Sequence, residues 1–245
     1  MINIDFKDKI VLITGGMSGA GQKIVEQFLK TGATVLTTYN HTQPKDERVK
    51  AYRLDQSDLS EIKELVSKIV EEYGHIDVLV NNAGIYPTRS LKDMSEEEYD
   101  EMFDTNTKGV FFLSREVAKY MDQGSIINIS SINATNPASK LIHYGMSKAA
   151  VEMMTRCLAY ELGPKIRVNC IAPGLIYKEG QEKFIPGWRE SYIERSALKR
   201  LVNAQDIGNT AIFLACDLSS AITGEVITVD CGVNLAPYFD NSLED

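Results

Sequence analysis

Short β-branched runs alternate along this chain with longer stretches whose apolar residues recur three and four positions apart, and the alternation holds nearly from end to end. The strand-like runs are Ile10 to Thr14, Thr34 to Thr38, Val49 to Leu54, Val78 to Asn81, Ser125 to Ser130, Ile166 to Ile171 and Val226 to Val229. Helical spacing occupies Ser18 to Lys30, Leu59 to Tyr73, Ser95 to Met121, Tyr144 to Leu162 and Gln205 to Ala215. Parallel strands need crossover helices, so this order predicts an α/β fold: a doubly wound parallel sheet of about seven strands with helices on both faces. No linker rich in Pro, Gly or Ser divides it, which predicts a single domain over residues 1–245. The irregular stretch 175–201, with Lys178-Glu-Gly-Gln, Ile185-Pro-Gly-Trp and a polar helical segment, is read as a substrate lid or, more plainly, as a surface excursion.

Composition narrows the picture. With 245 residues, 44% hydrophobic and 24% charged, the chain can bury a proper core, and neither disorder nor a disulfide scaffold fits. Its longest apolar runs, such as Ala211 to Cys216, fall far short of the roughly 18 residues of a membrane span. The N-terminal residues lack the order of a signal peptide, so a cytoplasmic protein is expected. Cys157, Cys170, Cys216 and Cys231 are far apart with no CxxC pair, which predicts buried free thiols and no metal site. The net charge of −8 comes without any basic block, so nucleic acid and anionic membranes are not expected partners. A bound anion remains compatible, because a helix N-terminus can hold one at any net charge.

The first strand runs into Gly15-Gly16-Met17-Ser18-Gly19-Ala20-Gly21 and then into a helix. Strand, glycine turn and helix make the setting in which backbone approaches a pyrophosphate; a tight connection is the simpler alternative. The spacing is T-G-x-x-x-G-x-G, and no Gly-Lys-Ser/Thr follows, which excludes a P-loop. An acid usually receives the adenosine ribose about 20 residues past such glycines. Here the second strand ends Thr38-Tyr39-Asn40-His41 with no carboxylate before Asp46, which favours NADP(H) over NAD(H), although no arginine stands at Tyr39 or Asn40 to hold a 2′-phosphate. Asp55 is placed either to accept from an adenine amino group or to signal the helix that follows, for which Asp58 is the better cap.

Tyr144-Gly-Met-Ser-Lys148 puts a phenol and an ammonium on one helical face, a pattern that chance alone would produce about once here. Context strengthens it. Asn81-Asn82-Ala83-Gly84 and Ser130-Ser131 end two other strands in polar and small residues, and all strand carboxyl ends of a parallel sheet open on one crevice.

Taken in order, Thr14-Gly15-x-x-x-Gly19-x-Gly21, Asn81-Asn82-Ala83-Gly84, Asn106, Ser131, Tyr144-x-x-x-Lys148 and Pro173-Gly174 resemble the motif set of the short-chain dehydrogenase/reductase family, in its branch of about 250 residues. Ser131 rather than Ser130 stands at the family's distance before the tyrosine. The resemblance implies a Rossmann fold and hydride transfer between a nicotinamide and an alcohol or carbonyl. It implies Tyr144 as general acid/base, Ser131 holding the substrate oxygen, Lys148 bonding the nicotinamide ribose, and Asn106 ordering a proton-relaying water. A phenol's reference pKa near 10 is too high for proton transfer at neutral pH, and the adjacent Lys148 ammonium together with the cationic oxidised nicotinamide is expected to lower it. The cofactor contacts so implied are Gly15, Met17, Ser18, Gly19, Gly21, Tyr39, Asn40, Asp55, Asn82, Ala83, Gly84, Tyr144, Lys148, Pro173, Gly174 and Ile176. Where the family usually has a carboxamide-binding threonine, this chain has Lys178.

Within that family the expected substrate is a small carbonyl or alcohol. The alternatives are a 3-oxoacyl-[acyl-carrier-protein] reductase, an NAD-dependent sugar, polyol or steroid dehydrogenase, and a dinucleotide-sensing protein without catalysis. An acidic carrier protein would want a basic patch, and Lys108, Arg115 and Lys119 are offset by Glu116. Tyr86, Arg89, Asn133, His143, Trp188 and Tyr192 are further pocket candidates, and the long Asn106 and Tyr144 helices resemble those between subunits of family tetramers, so a homotetramer or homodimer is expected.

Overall fold

In the computed structural model, which describes residues 4–41, 46–177 and 187–235, seven parallel strands form one sheet in the order β3-β2-β1-β4-β5-β6-β7. The strands are β1 Ile10–Ile13, β2 Thr34–Tyr39, β3 Lys50–Arg53, β4 Val78–Asn81, β5 Gly124–Ile129, β6 Ile166–Pro173 and β7 Val226–Val229. The helices are α1 Gly19–Lys30, α2 Leu59–Tyr73, α3 Glu96–Phe103, α4 Val110–Ala118, α5 Ile142–Leu162, α6 Trp188–Arg195 and α7 Ala204–Ala215. All seven expected strands are present, and the strand order reverses between β1 and β4, which opens a crevice at their carboxyl ends.

Alternation of apolar side chains sends the strand interiors to two cores. On one face Val11, Ile13 and Val35 pack against Ile24 and Phe28 of α1 and Ile207 of α7. On the other, Leu12, Leu36 and Ile126 meet Ile62 of α2, Leu113 of α4 and Leu158 of α5. Burial of each such side chain contributes roughly 1.5–3 kcal/mol. The helix starts follow from capping chemistry. Asp58, not Asp55, caps α2 by accepting from the backbone N–H of Ser60 and Glu61 at 2.8 and 3.3 Å, as the sequence suggests. Reciprocal capping boxes, Ser95 with Glu98 and Asn203 with Asp206, open α3 and α7.

Two expectations need correction. The single helix read over Ser95 to Met121 is divided by a π-helical turn, Asp104–Gly109. The wider turn brings Asn106 fully inside and lets Gly109 pass under the carbonyl of Gln56, 2.2 Å from where a β-carbon would stand. The thiols are all free, but only Cys170 and Cys231 are buried; Cys157 is exposed on α5, whose long apolar stretch is broader than the stripe that meets the sheet. Lys178 and the 178–186 part of the lid segment lie outside the described residues.

Candidate active site

The glycine turn is knitted from three strands. Gly15 N–H donates to Thr38 Oγ1 at 3.2 Å, and Gly16 N–H donates to Thr37 Oγ1 at 3.0 Å. Thr37 in turn donates to the Ile13 carbonyl at 2.9 Å. From the other side Asn82 Nδ2 donates to the carbonyls of Thr14 and Gly15 at 2.9 and 3.1 Å. Gly15 has φ +62°, which favours glycine, and a β-carbon on Gly21 would stand 2.3 Å from the Gly15 carbonyl. The cradle therefore admits only bare backbone. It leads into α1, whose N-cap Ser18 makes no side-chain cap bond, unlike the caps of α2, α3 and α7. Uncapped N–H groups at a glycine-lined helix start fit a pyrophosphate. Met17 packs on the core beneath the turn.

The adenosine end fits as well. Tyr39 is half-buried and Asn40 exposed at the end of β2, and no carboxylate of the described residues is hydrogen-bonded to either. Asp55, half-buried after β3, uses Oδ1 for the N–H and hydroxyl of Ser57 at 3.0 and 2.6 Å. Those bonds hold its pKa below the usual carboxylate value, so it stands as an acceptor at the crevice.

At the other end Tyr144 and Lys148 lie one turn apart on α5, facing Ser131 at the end of β5. Burial pushes the Tyr144 phenol up from its ordinary pKa; the Ser131 hydroxyl opposes the rise and neighbouring Tyr86 adds to it. Lys148 Nζ lies over the Tyr144 ring, 5.8 Å from its centre, and donates to the Ile129 carbonyl at 2.9 Å. Its own pKa is pushed down to about 8 by burial.

Asn106 is fully buried, with Oδ1 accepting from the Ile85 N–H and Nδ2 donating to the Ile85 carbonyl, both at 2.8 Å. Nδ2 also meets Met102 Sδ at 3.0 Å and Ser147 Oγ at 3.3 Å. Its amide is thus engaged with protein, fixing the loop after β4. A β-carbon on Gly84 would sit 3.0 Å from Asn106 Oδ1 and 3.5 Å from Lys148 Nζ, so Gly84 and Asn106 border the lysine.

Pro173 ends β6, and Gly174 to Ile176 continue along the crevice. Gly174 N–H donates to the Val229 carbonyl at 2.9 Å, and Ile176 bridges to Val202. Tyr192 of α6, read from sequence as a pocket side chain, turns onto this backbone instead: its hydroxyl accepts the Leu175 N–H at 2.9 Å. Arg189 stacks over Tyr177 at 4.8 Å, so α6 is clasped to the 174–177 segment. Of the other pocket candidates, Tyr86 stands at the mouth, 6.3 Å from the Tyr144 ring, and Arg89 pairs with Glu98. The Asn133 N–H donates to Ser131 Oγ at 3.1 Å. His143 is fully buried, with its pKa lowered by desolvation. Trp188 is half-buried at the start of α6.

Sequence reasoning missed Thr37, Thr38, Ile85 and Ile129. The two threonines left a signal, adjacent hydroxyls closing an otherwise apolar strand; the isoleucines act through backbone atoms and left none.

A family model described as enoyl-(acyl carrier protein) reductase matches residues 15–234. The chain is 39% identical over 239 residues to a 3-oxoacyl-[acyl-carrier-protein] reductase of Thermotoga maritima, covering 92% of this chain and 97% of that protein. It is 32% identical to tropinone reductase-like 3 of Erythroxylum coca, covering 95% of each. Among solved structures, the ligand-free aldohexose dehydrogenase of Thermoplasma acidophilum superposes with a TM-score of 0.91 at 28% identity, over 97% of this chain and 98% of that one. A short-chain dehydrogenase/reductase of Brucella melitensis, titled a glucose/ribitol dehydrogenase, does so at 0.89 and 30%, over 96% and 100%.

Proposed function

As a member of the short-chain dehydrogenase/reductase family, this chain is an NAD(P)-dependent oxidoreductase acting on CH–OH and keto groups, and we propose that it uses NADP(H) on a small-molecule carbonyl or alcohol through Tyr144, Ser131 and Lys148. The observation that carries the reading is the Tyr144 phenol near Ser131, whose hydroxyl opposes the rise of its pKa, with Lys148 buried one turn away at the end of a glycine cradle. When bound, the reduced nicotinamide supplies the hydride that adds to the carbonyl carbon. Tyr144 gives its proton to the oxygen on which charge develops. Ser131, whose oxygen already accepts the Asn133 N–H, turns its hydroxyl proton to the same oxygen. Lys148, fixed by the Ile129 carbonyl, stabilises the phenolate left behind and holds the ribose. Asn106 serves as a positioning residue through Ile85.

The preference for NADP(H) rests on the missing carboxylate after β2, since an acid there would repel a 2′-phosphate. Residues 1–245 act as one domain, with 175–201 as the lid; the bond from the Leu175 N–H to Tyr192 supports that role because it ties α6 to the stretch that directly follows Gly174. A groove of about 900 Å³ between α4 and α5, lined by Phe111, Phe112, Met153 and Met154, supports a homotetramer or homodimer. The free thiols support a reducing, cytoplasmic setting.

A 3-oxoacyl-[acyl-carrier-protein] reductase is the second reading, favoured by the Thermotoga relative. Against it, Lys108, Arg115 and Lys119 face Asp104 and Glu116, so this surface offers an acidic carrier little net positive charge. Turnover of small ketones, sugars and a 3-oxoacyl thioester with NADPH and NADH tests both. Preference for the thioester would replace the first reading by the second, and a tenfold preference for NADH would overturn the NADP(H) assignment.

A further inference from the structure

The end of β2 lacks an arginine in its own sequence, but the sheet brings one beside it. β2 and β3 pair in parallel register, Leu36 with Lys50, Thr37 with Ala51, Thr38 with Tyr52 and Tyr39 with Arg53. Residues paired across a sheet share a face, so Arg53 stands next to Tyr39 at the carboxyl edge. That edge is where the 2′ side of a bound adenosine ribose comes to lie in such a fold.

The other cations near this strand are placed elsewhere. Lys50 is three residues back, opposite Leu36, and paired with Glu72. Arg48 shares a hollow with Ala33 and Thr34 at the strand starts, its guanidinium on Asp46 at 2.6 Å. Among the described residues of β2, β3 and their connection, Arg53 is the guanidinium level with Tyr39.

Arg53 is held by Glu61 in the first turn of α2, and the second oxygen of Glu61 accepts the Asp55 N–H at 2.7 Å. The ion pair therefore ties Arg53 to the turn that carries the adenine-facing Asp55. The Arg53 side chain is 55% exposed, and an exposed pair of this kind is weak, so it restrains the guanidinium without consuming it. Only Nη1 is engaged with Glu61, and the remaining N–H donors are available to a second oxyanion. A guanidinium's fixed fork suits a phosphate better than an ammonium does.

We propose that Arg53, delivered across the sheet to Tyr39, binds the 2′-phosphate of NADP(H) and sets the cofactor preference. The inference rests on the NADP(H) reading above. It also explains how this chain would hold a 2′-phosphate although no arginine stands at Tyr39 or Asn40.

The test uses binding without turnover. The dissociation constants of 2′,5′-ADP and 5′-AMP are measured calorimetrically for the full-length wild type, Arg53→Met and Arg53→Lys. The wild type is expected to bind 2′,5′-ADP roughly tenfold or more tighter than 5′-AMP. Arg53→Met should lose that preference while its affinity for 5′-AMP changes less than about twofold, and Arg53→Lys should keep part of it. A wild-type preference that survives Arg53→Met overturns the assignment to Arg53 and leaves the NADP(H) reading standing. A wild type that does not distinguish the two ligands overturns the NADP(H) reading itself. Unchanged 5′-AMP binding shows that each variant is folded.

Discussion

Asn82 binds the end of β4 to Thr14 at the end of β1 twice, donating both times: its N–H goes to Thr14 Oγ1 at 3.0 Å and its Nδ2 to the Thr14 carbonyl at 2.9 Å. The same hydroxyl accepts the Ala83 N–H at 2.9 Å. One threonine thus spans the point where the strand order reverses.

Thr14→Val keeps the shape and removes the acceptor, leaving the Ala83 N–H unpaired and the Asn82 N–H with only the Val80 carbonyl, 3.1 Å away. We expect a loss of about 1–3 kcal/mol in urea unfolding. Cofactor affinity should fall as well, because Asn82 is then free to leave the Gly15 carbonyl. A variant as stable as wild type would show that Thr14 does not hold the turn.

Tyr144→Phe removes the proposed proton donor and leaves the cradle untouched. Turnover should fall by roughly 10²–10⁴-fold or more, with NADP(H) binding by fluorescence within about twofold of wild type. Retention of most of the rate would exclude Tyr144 as the acid.

Lys148, with a pKa near 8, must carry its proton for carbonyl reduction. For the free enzyme, kcat/KM for reduction is therefore expected to be level below pH 8 and to fall above it as the ammonium deprotonates. A profile flat to pH 10 would contradict this assignment.

The same group weakens the fold. Its folded pKa of about 8 lies below the unfolded value near 10.4, so below pH 8 both states hold the proton and the cost of burying the charge is complete. Between about 8 and 10.4 the unfolded state holds more protons, and stability from this residue rises with pH. Lys148→Met should therefore stabilise the cofactor-free protein by about 2 kcal/mol at pH 7, allowing for the Ile129 carbonyl it leaves unpaired, and the gain should shrink towards pH 10. Thermal melts across that range decide it.

Met153, 57% exposed in the α4/α5 groove, offers a test of assembly. Met153→Glu is expected to lower the molar mass measured by light scattering to that of smaller species, since a carboxylate in an apolar interface goes unpaired. A monomeric wild type would exclude the groove as a subunit contact.

The strands, most helices and the glycine turn were legible in the sequence because each is set by local spacing: two-residue alternation, three-and-four periodicity, and residues such as Asp58 that cap the helix they precede. Tyr144 and Lys148 were legible for the same reason, being one turn apart. The π-helical turn at Asp104–Gly109 was not, since a long apolar period looks alike whether or not one turn is widened. Tyr192 was placed in the pocket because its segment was right, but its hydroxyl goes to the Leu175 N–H, a choice made by packing.

By itself the sequence determined the class of fold, the order of the motifs and the type of each reacting group. The tertiary structure alone decided which distant groups meet. Arg53 comes beside Tyr39 through the register of β2 and β3, Thr37 and Thr38 reach the glycine turn from the neighbouring strand, and Lys148 takes a pKa near 8 from the burial around it. Hydrogen-bonded register and exclusion of water are properties of the assembled sheet, and no local pattern of residues specifies them in advance.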